Sequence, residues 1–385
     1  MENRFFAARN LISLQHYLGF ATKTANKVYE LLKDSGEIYT DITKSVSRLD
    51  LPPQTLSKLK DFSYEYADDV IQRCNENAIR LLLITDSEYP ERLINIVTPP
   101  LVIFYKGTFP QIDTLPVICV VGPRDVSDFG AKASYSLSYR FAKAGFIVLS
   151  GAAKGSDKMA NKADLEAGGK TIGLLGCGHL VNYLPENKDL REQIAENCCL
   201  LTEYPPEYKA SKFTFPIRNR IMSALSLGTV VIEGDERSGA ITTANHALEQ
   251  GKDVFVIPGN PTLNHYKGSN KLLRDGAIPL LDISDVFNVY ISEYCDKLDL
   301  ERAFQPIKRP KTEKTKEKIV KIQKNYAEGL SKEAQIVYNY MDMEKFTADD
   351  LLGCNLSDDE ILTALTELEM EHLIETLPGG MYKKL

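Results

Sequence analysis

Apolar residues recur at helical spacing through the first part of the chain. LISLQHYLGF, ANKVYELLKD and LSKLKDFSYEYADDVIQRCNENA each show it, and the Pro52-Pro53 pair stands at the start of the third segment. This predicts a small helical domain over residues 1–80, either of the helix-hairpin-helix or sterile-alpha-motif kind or a plain bundle. From about residue 81 the pattern changes. RLLLITD, PLVIFYKG, PVICVVG, GFIVLSG, KTIGLLG, CLLTEYP, TVVIEG and DVFVIPG are short apolar runs bounded by Gly, Pro or Asp, as buried strands are. Between them AKASYSLSYRFAKA, KMANKADLEAG and ITTANHALEQG read as helices. The alternation predicts an α/β core over residues 81–295, with a parallel-rich sheet covered by helices on both faces. In such a sheet, ligands sit at the carboxyl ends of the strands.

Residues 296–330 read as a basic linker. Within them QPIKRPKTEKTKEKIVKIQK carries eight basic residues, two prolines and little apolar content. Residues 331–385 then predict a compact winged-helix-like unit, with three helices followed by a strand pair around Pro378-Gly379-Gly380. Its segment SDDEILTALTELEMEHLIE is acidic at Asp358, Asp359, Glu360, Glu367, Glu369, Glu371 and Glu375, and lacks Lys and Arg. Ile361, Leu362, Leu365, Leu368 and Ile374 have the spacing of a buried face. Such a surface repels a polyanion, so this unit is expected to bind protein rather than DNA.

Composition adds little until charge is divided along the chain. At 43% hydrophobic and 26% charged, the 385 residues suit a soluble globular protein of two or three domains. The net charge of −7 argues against a nucleic-acid binder as a global figure. Residues 116–290, however, balance at 19 basic and 19 acidic groups, while 331–385 hold four basic against twelve acidic. The acidity sits in the tail, and the core is free to gather positive charge locally. MENRFFAARN lacks the layout of a secretory signal, no run is long enough to span a bilayer, and the seven cysteines form no CxxC pair. A cytoplasmic protein with reduced thiols is expected, with no membrane association, metal or cofactor.

Candidate chemistry lies where strands end. VVGPRD, SGAAKGSD, LGCGH, EGDERSGAITTA and PGNP are small or Gly-rich turns. Glycine lets backbone N–H groups approach an anion, and a helix N-terminus adds unpaired donors. The FPIRNR segment places Arg218 and Arg220 around Asn219, with Phe213, Phe215 and Lys212 beside them. Cations and aromatics at a helix start suit phosphate pairing with base stacking. Equally, the two phenylalanines could anchor the core while the arginines pair with Glu203 or Glu233.

The succession VVGPRDVSDFG, SGAAKGSD, KTIGLLGCG, LPEN, LLTEYPP, FPIRNRIMSALS, VVIEGDERSGAITTA, ALEQGKDVFVIPG and GSNKLLRDGA resembles the DprA (Smf) family over roughly residues 80–285. The resemblance implies an extended Rossmann-like fold that binds and protects single-stranded DNA, dimerises through the core and helps load RecA recombinase during DNA uptake or recombination. It implies strand contacts at Arg124, Lys212, Phe215, Arg218, Asn219 and Arg220. Gly151, Gly155, Ser238, Gly239, Thr243 and Asn270 are implied to line the same pocket. The sequence departs from the family pattern at Pro123, Ser156 and Asn161, where Ser or Thr, an apolar residue and His are usual.

Two rival functions share the fold class: a nucleotide-cleaving enzyme and a nucleotide-binding sensor or adaptor. The first strand is not followed by GxGxxG, as a dinucleotide site requires. The nucleotide hydrolases of this superfamily carry a PGGxGT loop where this chain has GDERSGAITTA. His179, His246 and His265 show no metal spacing, and neither Glu233 nor Asp157 has a visible nucleophile beside it. A non-catalytic role is therefore expected.

Overall fold

The computed structural model describes residues 2–305, 330–341, 345–351, 354, 356–371, 373–377 and 381–384. They fall into two compact units, Met1–Ile307 and Lys308–Leu385. Most of the expected basic linker, and the Pro378-Gly379-Gly380 turn, lie outside the described residues.

The first unit is built on a nine-stranded sheet. In chain order its strands are β1 (Arg80–Leu83), β2 (Val102–Gly107), β3 (Val117–Val121), β4 (Ile147–Ser150), β5 (Ile172–Leu174), β6 (Cys199–Thr202), β7 (Gly228–Val231), β8 (Asp253–Val256) and β9 (Ile278–Pro279). Their spatial order is β1-β2-β6-β5-β4-β3-β7-β8-β9. The pairs β1–β2 and β2–β6 are antiparallel and the rest parallel, so the sheet is mixed at the β1 side. Each of the eight apolar runs expected as strands forms one.

The central strands β3 to β7 are buried at every position because both faces are covered. Alternate side chains point to opposite faces. Val117, Cys119 and Val121 of β3 join one apolar cluster, and Ile118 and Val120 join the other. The first cluster takes Ile221, Met222 and Leu225 from helix Thr214–Leu225 and Ala240, Ala244 and Ala247 from helix Gly239–Glu249. The second takes Phe141 from helix Asp128–Ala144 and Val286 and Phe287 from helix Ser284–Tyr290.

The helices of residues 1–80 belong to the first cluster: Leu11, Leu14, Val28 and Leu32 are fully buried within it. The change of pattern near residue 80 thus marks a change of secondary structure inside one packed unit. The third predicted helical segment is two helices, Pro53–Lys58 and Glu65–Glu76. The chain turns between them because Phe62 and Tyr64 are buried; the Tyr64 hydroxyl donates to Asn10 Oδ1 at 2.7 Å and accepts from the Ile42 N–H at 2.9 Å.

The second unit contains helices Lys332–Tyr340 and Asp358–Met370, with strands β10 (Lys345–Thr347), β11 (Ile374–Leu377) and β12 (Met381–Lys384) in the order β10-β12-β11. Between those two helices, where the third expected helix would lie, Ala348–Leu351 form a 3₁₀ turn. Ile361, Leu365, Leu368 and Ile374 are buried as expected, but Leu362 is 51% exposed. A capping box between Ser357 and Glu360 starts the acidic helix, satisfying N-terminal donors that would otherwise be unpaired.

Candidate nucleic-acid interface

Chain order and sheet order together place the site. After β3 the chain builds β4, β5 and β6 to one side, then returns to lay β7 on the other side of β3. The loops leaving β3 and β7 therefore diverge and leave a crevice at the carboxyl ends of the strands. A cleft of about 740 Å³ occupies it, lined among others by Arg124, Tyr183, Lys212, Phe215, Arg237, Ser238, Gly239 and Thr243.

Two glycines hold the β3 loop in place. Gly155 adopts φ +76°, and a Cβ there would fall 2.4 Å from the carbonyl oxygens of both Pro123 and Arg124. A Cβ on Gly122 would fall 2.2 Å from Ser156 Oγ. The loops after β3 and β4 are thus in backbone contact, and the hydroxyl of Ser156 packs on Gly122. Asn161, another departure from the family pattern, is fully buried and donates to Thr171 Oγ1 at 2.8 Å. Both residues serve packing beneath the cleft.

The start of helix Thr214–Leu225, with the residues just before it and the β3 loop, forms the aromatic and basic wall. The Arg124 guanidinium lies 4.5 Å above the Phe215 ring, whose other neighbour is Tyr183 at 5.2 Å between centroids. Lys212 Nζ stands 5.1 Å from the Phe213 ring, which is 66% exposed. Phe213 is therefore no core anchor. On the facing side Ser238 caps helix Gly239–Glu249 by accepting from the Ile241 N–H, and Asn219 Nδ2 donates to Gly239 O at 3.1 Å. That bond ties the two walls together.

Arg218 and Arg220 are placed differently from Arg124. Arg218 is only 5% exposed and donates to the Leu174 carbonyl at the floor of the cleft. It shares a cramped space with Asp157: a Cβ on Gly151 would fall 2.2 Å from Asp157 Oδ2 and 2.6 Å from Arg218 Nη1. Burial pushes the Asp157 carboxyl up, and the Arg218 charge opposes that rise. Arg220 lies outside the cleft lining and is buried against Glu203, to which it donates at 2.7 Å. Glu233 pairs with neither arginine; it accepts from the Ser127 N–H and hydroxyl at 2.7 and 2.6 Å and so anchors the start of helix Asp128–Ala144.

Of the other expected site residues, Ser238, Gly239 and Thr243 line the cleft, whereas Gly151 and Gly155 lie under it. Asn270 sits apart, exchanging hydrogen bonds of 3.0 and 3.1 Å with the backbone of Gly259. Sequence reasoning missed Tyr183 and Arg237. Arg237 was visible inside GDERSGAITTA as an exposed turn cation; Tyr183, in an irregular loop before LPEN, gave no signal. Among the described residues no cluster of His, Cys, Asp and Glu is arranged to hold a metal ion, and no helix is long and apolar enough to cross a membrane.

Comparison with known proteins agrees with this architecture. The chain is 34% identical over 253 residues to the DNA processing protein DprA of Bacillus subtilis, covering 66% of this chain and 85% of that protein. It is 39% identical over 194 residues to DprA of Streptococcus pneumoniae, covering 50% and 68%. The X-ray structure of the S. pneumoniae protein superposes with a TM-score of 0.63 at 30% identity, over 73% of this chain and 97% of the other. A structure of the Helicobacter pylori protein, described for its single-stranded DNA binding mode, matches with a TM-score of 0.51 at 28% identity, over 56% and 97%. Residues 80–291, more than half of the chain, match the family described as DNA recombination-mediator protein A, and the chain belongs to that DprA/Smf family.

Proposed function

We propose that this protein is a non-catalytic single-stranded DNA binder that holds phosphates on Arg124, Lys212 and Arg237 and stacks bases on Phe213, Phe215 and Tyr183. The observation that carries the reading is the cation–aromatic wall at the switch-point cleft, with Arg124 seated 4.5 Å over Phe215. Every base has a π-face, so aromatic platforms accept any sequence, while paired bases cannot reach them. The binding mode described for the H. pylori relative supports the same reading.

Fluorescence anisotropy with the full chain tests it. Single-stranded oligonucleotide should bind with little sequence preference and blunt duplex far more weakly. If the three cations each neutralise one phosphate, raising salt from about 50 to 200 mM should lower affinity about 20-fold. Equal affinity for duplex and single strand would end this reading.

The proposal extends to a cytoplasmic dimer formed through the core that helps load RecA recombinase onto the held strand. The second unit is read as winged-helix-like and protein-binding. Its helix Asp358–Met370 carries Asp358, Asp359, Glu360, Glu367 and Glu369 and no basic residue, which disfavours contact with a polyanion. A chain ending at residue 330 should therefore bind single-stranded DNA as tightly as the full protein or more tightly. A clear loss of affinity on that truncation would assign the tail to DNA instead.

A further inference from the structure

The loop that brings Tyr183 to the cleft also walls a second cavity, of about 610 Å³, through Val181, Asn182 and Pro185. Its charged lining is Lys106 from β2 with Lys188, Arg191 and Glu192 from helix Lys188–Asn197. Lys188 and Glu192 pair with each other at 3.8 Å on the exposed rim. Lys106 and Arg191 form no ion pair with any described residue. Arg191 is half-buried, which pulls its pKa down; Glu186 and Glu192 act on its charge, but neither makes an ion pair with it. Its Nη1 donates to the Tyr183 and Leu184 carbonyls at 2.6 and 3.3 Å, leaving Nε and Nη2 unused by described residues.

His179 lines the same cavity. Its Nε2 lies 3.1 Å from the Phe104 carbonyl oxygen, which can only accept, so Nε2 carries the proton. Nδ1 is then an acceptor, buried and without a partner among the described residues. Burial holds the ring's pKa down to about 4, so it stays neutral near pH 7 and keeps that acceptor. An unmet acceptor beside two cations that make no ion pair among the described residues suits a ligand that brings both an anion and a hydroxyl donor.

We propose that this cavity is a second ligand site, which binds a phosphomonoester with its phosphate on Arg191 and Lys106 and a ligand hydroxyl donating to Nδ1 of His179. A volume of about 610 Å³ is that of a small-molecule site. Guanidinium and ammonium donors together make strong charge-assisted bonds to phosphate. The phosphomonoester could be a free nucleotide or the terminal phosphate of a strand held in the first cleft. Because Arg191 also holds the Tyr183 carbonyl, occupancy stiffens the loop that places the Tyr183 ring against Phe215.

Calorimetric titration of deoxyadenosine monophosphate into the full chain tests this, alongside oligonucleotides of one length with a 5′-phosphate, a 3′-phosphate or neither. Lys106→Gln removes a side chain that makes no hydrogen bond or ion pair with any described residue, so it should leave the melting temperature unchanged. It should weaken the phosphomonoester about ten-fold, as should Arg191→Gln. Arg124→Ala, in the first cleft, should leave the Lys106-dependent part of the nucleotide binding intact. Nucleotide binding that depends on Lys106 identifies a free ligand. A gain from one terminal phosphate alone, removed by Lys106→Gln, identifies the strand end. No Lys106-dependent binding in either arm overturns the second site. Should single-stranded DNA fail to bind at all, the first cleft's role fails while the nucleotide arm still decides this one.

Discussion

Arg218→Ala is expected to destabilise the protein by about 1–3 kcal/mol, because it takes from the buried Asp157 carboxylate its strongest opposing charge and leaves the Leu174 carbonyl without that donor. The arginine sits in the motif that looked most like a DNA grip, yet it is 5% exposed and bonded to the Leu174 carbonyl. The loss also has a pH signature. A carboxyl whose folded pKa is raised holds its proton more readily folded than unfolded. Its burial is therefore least costly below its ordinary pKa and most costly once the pH has risen through the folded value. Burial already raises Asp157, and Arg218 is the first influence opposing that rise. Without Arg218 the shift grows, so the deficit should be largest at neutral pH and narrow in acid. Urea unfolding of both proteins at two pH values measures this, and a variant as stable as the parent at neutral pH would show that Arg218 is not the buried partner of Asp157.

The second large effect is on binding alone. Arg124→Ala and Phe215→Ala should each weaken single-stranded DNA by about 10- to 100-fold, the range that loss of one stacked base contact produces. Arg124 lies in an open loop over the Phe215 face, so its removal should barely alter thermal stability. Phe215 is half-buried and packs over Gly176, where a Cβ would come within 2.6 Å of the ring, so a modest fall in melting temperature is expected as well. Because the guanidinium and the ring act as one platform, the double variant should lose less than the sum of the two single losses. Full additivity, or unaltered anisotropy curves in either single variant, would separate the pair from the strand.

The strands were the most legible part of the fold, since a strand buried on both faces is apolar at each step and needs no alternation to be seen. β9, only Ile278–Pro279, was missed because two residues, one of them a proline, carry no pattern. The break between helices Pro53–Lys58 and Glu65–Glu76 was hidden because it depends on Tyr64 reaching Asn10 and Ile42, residues remote along the chain. In the site, the turns that carry Arg124, Ser238 and Gly239 were readable as Gly-rich strand ends, and the residues themselves came from the family resemblance. The burial of Arg218 and Arg220 was not. Every residue from Arg218 to Leu225 of that helix is buried, so its polar positions do not mark an exposed face. The charge of Arg220 is used inside, on Glu203, while Arg218 lines the floor of the cleft beside Asp157.

The N-terminal segment leans on the elements that carry the cleft helix. The Phe20 ring meets Tyr204 and Tyr208 at 5.2 and 5.0 Å, and the Tyr204 hydroxyl donates to the Thr214 carbonyl at the start of the cleft helix. Arg4 bonds Asp86 and the Leu81 carbonyl, and Asn26 bonds the Pro99 carbonyl. A fragment cut at residue 80 would therefore be no miniature of the protein. It would bare the apolar face on which Leu11, Leu14 and Leu32 rest, and it would leave Tyr204 without the ring that steadies it. Any recombinant piece meant to report on the cleft must keep its first helix, and damage near Phe20 should be felt as a loosened hold on the strand.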